Sequence, residues 1–305
     1  KPAASEGDPI SPAGTPALNL AAKPQLLFQV FGERDDPRVL PIAAVVNGAV
    51  RPIGLTRGGW HELDAAYFAP GTTYPIYRDD TQEGDVEIVR PMWEAVGSPA
   101  LVTLPGCTQL KPIASGKLKF LKPHAGTAVE FLASSVPLAR HAPFSGTLPT
   151  EAELSKMGRA FGLALGKQAA MDETELDALD FHAQSLITGA TAHPTLLVTF
   201  MDPNAGDLGP GVGSTSHIFA LGDQLGAGYT PTYRHVRSGD GKTVEFRRLV
   251  DHLDINGDGI DELILEAWRY GADNELVVLS FKAGQWHEVL RVKQNWCLDP
   301  TKPGN

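Results

Sequence analysis

The stretch that decides how this chain reads is Asp254-Ile255-Asn256-Gly257-Asp258-Gly259-Ile260-Asp261-Glu262-Leu263. Four carboxylates and one amide fall within nine residues, and the apolar run Leu263-Ile264-Leu265 follows at once. A hard divalent cation takes several oxygen ligands arranged around it. Asp254, Asn256 and Asp258 alternate, so a turning loop can point all three side chains inward. Gly259 permits the sharp bend that follows. Ile260 would offer its backbone carbonyl while its side chain joins the core, and Glu262 would close the site directly or through water. Asp261 is expected to face outward and add only to the field. Without a cation these carboxylates repel one another by roughly 1 kcal/mol per close pair near the surface. Bound Ca²⁺ would remove that cost. The competing reading is an acidic turn that holds no metal.

The loop is not that of a helix-loop-helix calcium site, which places a bidentate Glu at its twelfth position. Here that position is Leu265, inside an apolar strand. An Asp-x-Asn-x-Asp-Gly loop running into an apolar strand resembles the FG-GAP/VCBS-type calcium repeat of integrin alpha-subunit β-propellers and of many secreted bacterial proteins. Asn274 to Leu290, NELVVLSFKAGQWHEVL, is similar to the paired outer strands that follow in bacterial members. The likeness is good over residues 245–292, weak over 180–238 and absent before that. The chain lacks the family's Phe-Gly and Gly-Ala-Pro segments and shows no tandem array. The resemblance implies Ca²⁺ as the bound cofactor, a blade-like C-terminal part and an extracellular setting.

Working outward, short apolar runs continue on both sides of the loop. Thr195–Phe200, His217–Leu221, Tyr229–Val236, Thr243–Asp251, Leu263–Trp268, Leu276–Phe281 and Trp286–Val292 read as strands, with turns at 238–241, 271–274 and 282–284. Four short strands around one acidic loop have the size of a propeller blade. A faint internal repeat sets Thr195-Leu196-Leu197-Val198 under Glu262-Leu263-Ile264-Leu265. The loop of that first copy carries Thr188, Gly189, Ala190 and Thr191 and no carboxylate. His182 and His252 stand at similar places before the two loops, which suggests packing.

Upstream, residues 25–136 are also mostly β. Apolar or alternating runs at 26–30, 40–46, 50–53, 74–77, 86–89, 101–104, 118–121 and 129–132 are separated by Gly, Pro, Asp and Asn. Asn47-Gly48 is a two-residue hairpin signal, and 79–84 reads as a second turn. One helix is expected at about 150–168. Thr150 and Glu153 form a capping box, and Leu154, Met157, Phe161 and Leu165 an apolar stripe. Gly158, Gly162 and Gly166 lie four apart, and three glycines in a helix are best explained by close approach of a neighbouring element.

The fold class expected is therefore mainly β. The division expected is a disordered tether at 1–24, a β-rich N-terminal domain at 25–145, a connecting helix at 146–170 and a partial propeller-like domain at 171–305. The 305 residues suffice for two cores. A net charge of −10 disfavours nucleic acid. The basic residues Arg234, Arg237, Lys242, Arg247 and Arg248 read as a solvated strand face. No apolar run approaches the ~20 residues of a membrane span. The Pro-, Ala-, Gly- and Ser-rich start, without periodicity, resembles the tether that follows a removed export signal, and an N-terminal lipid tether upstream belongs to the same expectation. Cys107 and Cys297 are an even pair, which fits one disulfide in an exported protein. So long a closure is worth up to ~5 kcal/mol.

Catalytic signatures are sparse. No Gly-x-Ser-x-Gly elbow is present, His61-Glu62 and His287-Glu288 lack a second histidine four residues on, and the glycine-rich run 209–213 lacks a dinucleotide or P-loop context. Trp60, Tyr67, Tyr74, Tyr77 and Trp93 would either pack or line a groove. The expectation is an exported, non-catalytic binding or assembly module with a protein or carbohydrate partner. The rivals are a calcium-stabilised extracellular hydrolase and a structural subunit of an envelope complex.

Overall fold

Alternating burial along short strands builds most of this molecule. The computed structural model describes residues 18–55, 57–92, 109–110, 113–139, 144–171, 173–203, 205, 213–269, 274–293 and 297–298. Two compact units result, one of residues 1–139 with 255–257 and 295–305, the other of 140–254 with 258–294. Among the described residues no helix is long and apolar enough to cross a membrane.

The first unit is a sheet curled into a partial barrel. Its strands are β1 (Gln25–Glu33), β2 (Asp36–Val46), β3 (Ala49–Arg51), β4 (Thr73–Arg78), β5 (Thr81–Arg90), β7 (Ala114–Phe120) and β8 (Ala128–Ser134). They run in the order β1-β8-β4-β5-β7-β2-β3, and β1 also pairs with β2, which joins the ends. In β5 Gly84, Val86 and Ile88 are buried while their neighbours are more open, the period of two that a half-buried strand needs. Gly84 is obligatory there, because a Cβ would overlap the Lys119 carbonyl of β7. Asn47 (φ 52°) and Gly48 (φ 71°) make the expected two-residue hairpin. The second turn is tighter than the sequence suggests, with Asp79 (φ 49°) and Asp80 (φ 55°) turning the chain alone and β5 beginning at Thr81. A short pair, β6 (Gln109–Leu110) and β17 (Cys297–Leu298), lies apart from this sheet.

A helix that the β-rich pattern conceals, α1 (Arg57–Tyr67), supplies Trp60, Leu63 and Tyr67 to the barrel core. Phe28 meets Phe68 edge-on at 5.4 Å and Tyr74 at 4.8 Å. Trp60, Tyr67, Tyr74 and Tyr77 are all buried, so packing and not a groove accounts for them. Trp93 and the 101–104 run lie outside the described residues. Of the expected tether, residues 18–24 are held in place: Leu18 N–H donates to the Gly54 carbonyl, and Tyr67 Oη donates to that of Pro24.

The second unit holds α2 (Glu151–Gln168), α3 (Glu173–Asp177) and eight strands: β9 (Asp180–Leu186), β10 (Thr195–Met201), β11 (Ser214–Gln224), β12 (Tyr229–Asp240), β13 (Phe246–Leu253), β14 (Glu262–Trp268), β15 (Glu275–Lys282) and β16 (Gln285–Lys293). They form two four-stranded antiparallel meanders, β9–β12 and β13–β16. Each has the size and connectivity of a propeller blade. Leu197, Phe219 and Leu221 of the first pack with Leu263, Leu265 and Leu279 of the second in one cluster. The capping box of α2 is complete. The glycine stripe does what close packing requires: a Cβ on Gly158 would collide with Ala183, on Gly162 with Phe200 and on Gly166 with Leu176. The helix is thus a layer on the first meander. Strand β12 runs on to Asp240, so the turn expected at 238–241 is shifted to 241–243.

Candidate metal centre

The acidic loop is the connection between β13 and β14. Asp254 follows the last residue of β13 and is only 4% exposed. Its Oδ1 accepts from the Asp258 N–H at 3.1 Å and its Oδ2 from the Gly259 N–H at 3.0 Å. One carboxylate therefore pins the far side of the turn. Gly257 (φ 78°) and Gly259 (φ 85°) supply the left-handed backbone that the turn needs. Asp258 Oδ1 accepts from the Ile260 N–H at 2.9 Å, which closes a second small turn. Ile260 packs its side chain against the cluster between the two meanders, as the sequence implies.

Glu262 opens β14, is 1% exposed, and accepts from the Ser280 hydroxyl at 3.2 Å. Asn256 is half-buried in the loop. Asp261 does not face outward. It is fully buried, with Oδ2 2.6 Å from Nδ1 of His252, and its N–H donates to the Thr188 carbonyl at 2.8 Å. The outward reading fails because Asp261 precedes β14 directly, where the sheet already encloses the chain. The expected likeness of His182 to His252 fails too, since His182 is exposed and pairs across from Thr199, whereas His252 is buried opposite Leu263.

The donor chemistry of Asp254, Asn256, Asp258, the Ile260 carbonyl and Glu262 suits a hard cation. Their arrangement is less complete. No group of three or more His, Cys, Asp or Glu side chains is placed to hold a metal among the described residues. Asp258 Oδ1 is engaged by the Ile260 N–H and Glu262 Oε1 by the Ser280 hydroxyl, so an ion would be met by the other oxygen of each carboxylate.

The faint repeat has a structural counterpart. Residues 187–194 join β9 to β10 as 254–261 join β13 to β14, eight residues in each case. Thr191 Oγ1 accepts from the His193 N–H at 3.1 Å, the bond that Asp258 makes with Ile260. Thr195 lies opposite Asp223 next to the Leu196–Gly222 pair, and Glu262 opposite Ser280 next to the Leu263–Leu279 pair. Each sheet therefore sets a hydroxyl against a carboxylate at this place, with the two exchanged between strands.

Two polar clusters were not legible in sequence. Fully buried Asp223 accepts from Thr195 Oγ1 at 2.6 Å, from Trp286 Nε1 at 2.8 Å and from Thr232 Oγ1. Nearby, Glu245 accepts from Arg247 Nη2 at 2.6 Å and Arg291 Nη1 at 3.2 Å. Burial alone would raise the Glu245 carboxyl, but the hydrogen bonds from Arg291 and Arg247 outweigh it and hold it at about 2. Arg247 is 4% exposed, so it does not belong to a solvated face, unlike Arg234, Arg237, Lys242 and Arg248, which are exposed. His217 is neutral by geometry: Nε2 accepts from the Arg247 N–H at 2.9 Å, and Nδ1 lies 3.0 Å from the Phe200 carbonyl. Burial, then the nearby His235, presses it down to about 3, and burial, then the Arg247 charge, presses His235 to about 4.

Cys107 and the glycines at 209 and 211 lie outside the described residues. Cys297 is placed by its backbone alone, paired with Leu110. Comparison with family models, curated proteins and solved structures finds no match.

Proposed function

We propose that this chain is an exported, non-catalytic binding or assembly module whose second unit is stabilised by one Ca²⁺ ion. The ligands in this reading are Asp254, Asn256, Asp258, the Ile260 carbonyl and Glu262. The observation that carries it is the sister loop. Residues 187–194 make the same eight-residue connection with Thr188 and Thr191 and without a carboxylate. Closing this hairpin therefore needs a short oxygen acceptor, not an anion. Asp254, Asp258 and Glu262 set three carboxylates about one turn, two of them buried, while the fourth, Asp261, lies 2.6 Å from His252 Nδ1. Burying like charges is costly, and a divalent cation offsets that cost.

Export and a Cys107–Cys297 disulfide belong to the same reading, since extracellular calcium is abundant enough for a loop of modest affinity. The partner is a protein or a carbohydrate. Calorimetric titration of the chelator-treated protein with CaCl₂ tests the metal claim. One saturable site is expected, lost in Asp258→Asn with Glu262→Gln. Absence of heat in the parent protein would remove calcium from the reading. A non-reducing peptide map tests the bridge, with a Cys107–Cys297 cross-link expected.

A further inference from the structure

The barrel of the first unit is not evenly sealed. Strands β2 and β7 are joined by two residue pairs, Arg38–Ser115 and Val39–Ala114. Beyond Ser115, β7 leaves β2 and follows β5, where the register shifts between Ile88 and Arg90 and leaves Val89 out of the ladder. A cleft of about 990 Å³ opens where the strands part, lined by the β1–β2 turn, the end of β5, β7 and the segment after it.

The floor of that cleft is a charge arrangement with cations in excess. Asp36 is shared by two arginines, Arg38 Nη2 at 2.8 Å and Arg90 Nη2 at 3.3 Å, on separate oxygens. Arg90 Nε also donates to Ser115 Oγ at 3.0 Å. One carboxylate between two guanidinium groups leaves a net positive charge. Arg38 is 9% exposed, and its Nη1 is buried without a hydrogen-bond partner. Burial fixes Arg38 on Asp36 and leaves Arg90 the more accessible of the two, at 41% side-chain exposure. Of the other charges in the lining, Arg34 and Asp35 pair at 3.6 Å and cancel, Lys117 stands opposite Glu87 of β5, and Lys122 adds a further cation, on a chain whose net charge is −10.

The walls are apolar. Val89 and Leu121 are 49% and 63% exposed, and Phe120 stacks on His124 at 4.6 Å with 12° between the rings. Exposed apolar side chains beside a fixed guanidinium match a ligand with two parts. We infer that this cleft is a binding site for organic anions, a carboxylate or phosphate on an apolar body. The anionic group sits at Arg90, with Lys117 elsewhere in the lining adding to the field, and the body lies on Val89, Leu121 and the Phe120 ring. This deepens the binding-module reading but does not need the calcium loop.

Titration followed by NMR shifts, with and without chelator, tests it using 3-phenylpropanoate, phenyl phosphate, inorganic phosphate and the neutral 3-phenylpropanamide. The two phenyl-bearing anions are expected to saturate, with the amide and inorganic phosphate at least about tenfold weaker. Arg90→Gln should weaken the anions by about tenfold, and Leu121→Ser, at an exposed position, by a few-fold with unchanged melting. Lys117→Gln, at an exposed position, gives a smaller loss in a variant whose folding is not in question. Equal binding of the acid and its amide, no saturation by any probe, or indifference to both Arg90→Gln and Lys117→Gln would overturn the site. The better of the two phenyl-bearing anions identifies the group preferred. Binding that survives chelation while the calcium titration fails would sink the metal reading alone.

Discussion

The hairpin loops at 187–194 and 254–261 solve one geometric problem with different chemistry. Both span eight residues between the first and second strands of a four-stranded meander, and both fold a side-chain oxygen onto the backbone two residues on. The first does so with a threonine hydroxyl. The second uses aspartate, and it buries Asp254, Asp261 and Glu262 around the turn. Because the neutral loop closes equally well, the charge in the acidic one reports on something other than closure. The exchange of Thr195–Asp223 for Glu262–Ser280 carries the same lesson into the sheets. The cross-strand contact is kept, while the side that holds the charge is reversed.

Acid is expected to have the largest effect, because it attacks what the two sheets share. His217 and His235 are held at about 3 and about 4 in the folded protein, below the ordinary 6.5. Below pH 6.5 the unfolded chain binds protons that the folded one refuses, so stability falls from about pH 6.5 toward pH 4. Glu245 acts in the same direction at lower pH, its contribution present above the ordinary carboxylate range and lost as pH falls toward 2. Urea unfolding at pH 7.5, 6 and 4.5 checks this, and a flat profile would contradict it.

The carboxylates can then be compared one by one. Asp223→Ala strands the buried Trp286 indole N–H and takes the carboxylate acceptor from two threonine hydroxyls, which keep Thr188 and the Leu221 carbonyl as partners, and a loss of about 3 kcal/mol is expected. Its structural counterpart Ser280→Ala should cost only about 1 kcal/mol by the same denaturation measurement. Asp254→Ala removes two backbone hydrogen bonds from the acidic turn, for about 2 kcal/mol in the presence of chelator. Asp258→Thr installs the residue that the sister loop uses at Thr191. In chelator it should change stability by less than about 0.5 kcal/mol, yet it should abolish any response to calcium. A variant that keeps a full calcium response would break the assignment of Asp258.

Local signals in the sequence carried well. Period-two burial in β5, the Asn47-Gly48 hairpin and the Thr150–Glu153 cap depend on neighbours a few residues away, and all appear as read. The glycine stripe of α2 was legible because three glycines at helical spacing leave close packing as their best reason. Long-range features were hidden. Helix α1 has Trp60, Leu63 and Tyr67 on one face, but Gly58 and Gly59 at its start and strands on both sides mask it. Asp261 reads as outward-facing in sequence because its partner, His252, becomes adjacent only when β13 pairs with β14. Asp223 and the Asp36–Arg90 pair draw on residues far apart in the chain, so no spacing announces them. For the acidic loop the donor types could be read directly, whereas the turn of Asp258 toward Ile260 and of Glu262 toward Ser280 could not.

The central claim is that one loop of the pair answers to a divalent cation and the other does not. Thermal unfolding in about 1 mM CaCl₂ and in excess chelator measures this directly. A free ligand at a hundred times its dissociation constant adds about 2.7 kcal/mol, and for a unit of this size that moves the midpoint upward by several degrees. Such a rise is expected in the parent protein, with none in Asp258→Thr and an unchanged rise when Thr191 is replaced by Ala. Superimposable melts of the parent protein with and without calcium would contradict it, and the acidic loop would then be a hydrogen-bonded turn like its neutral sister.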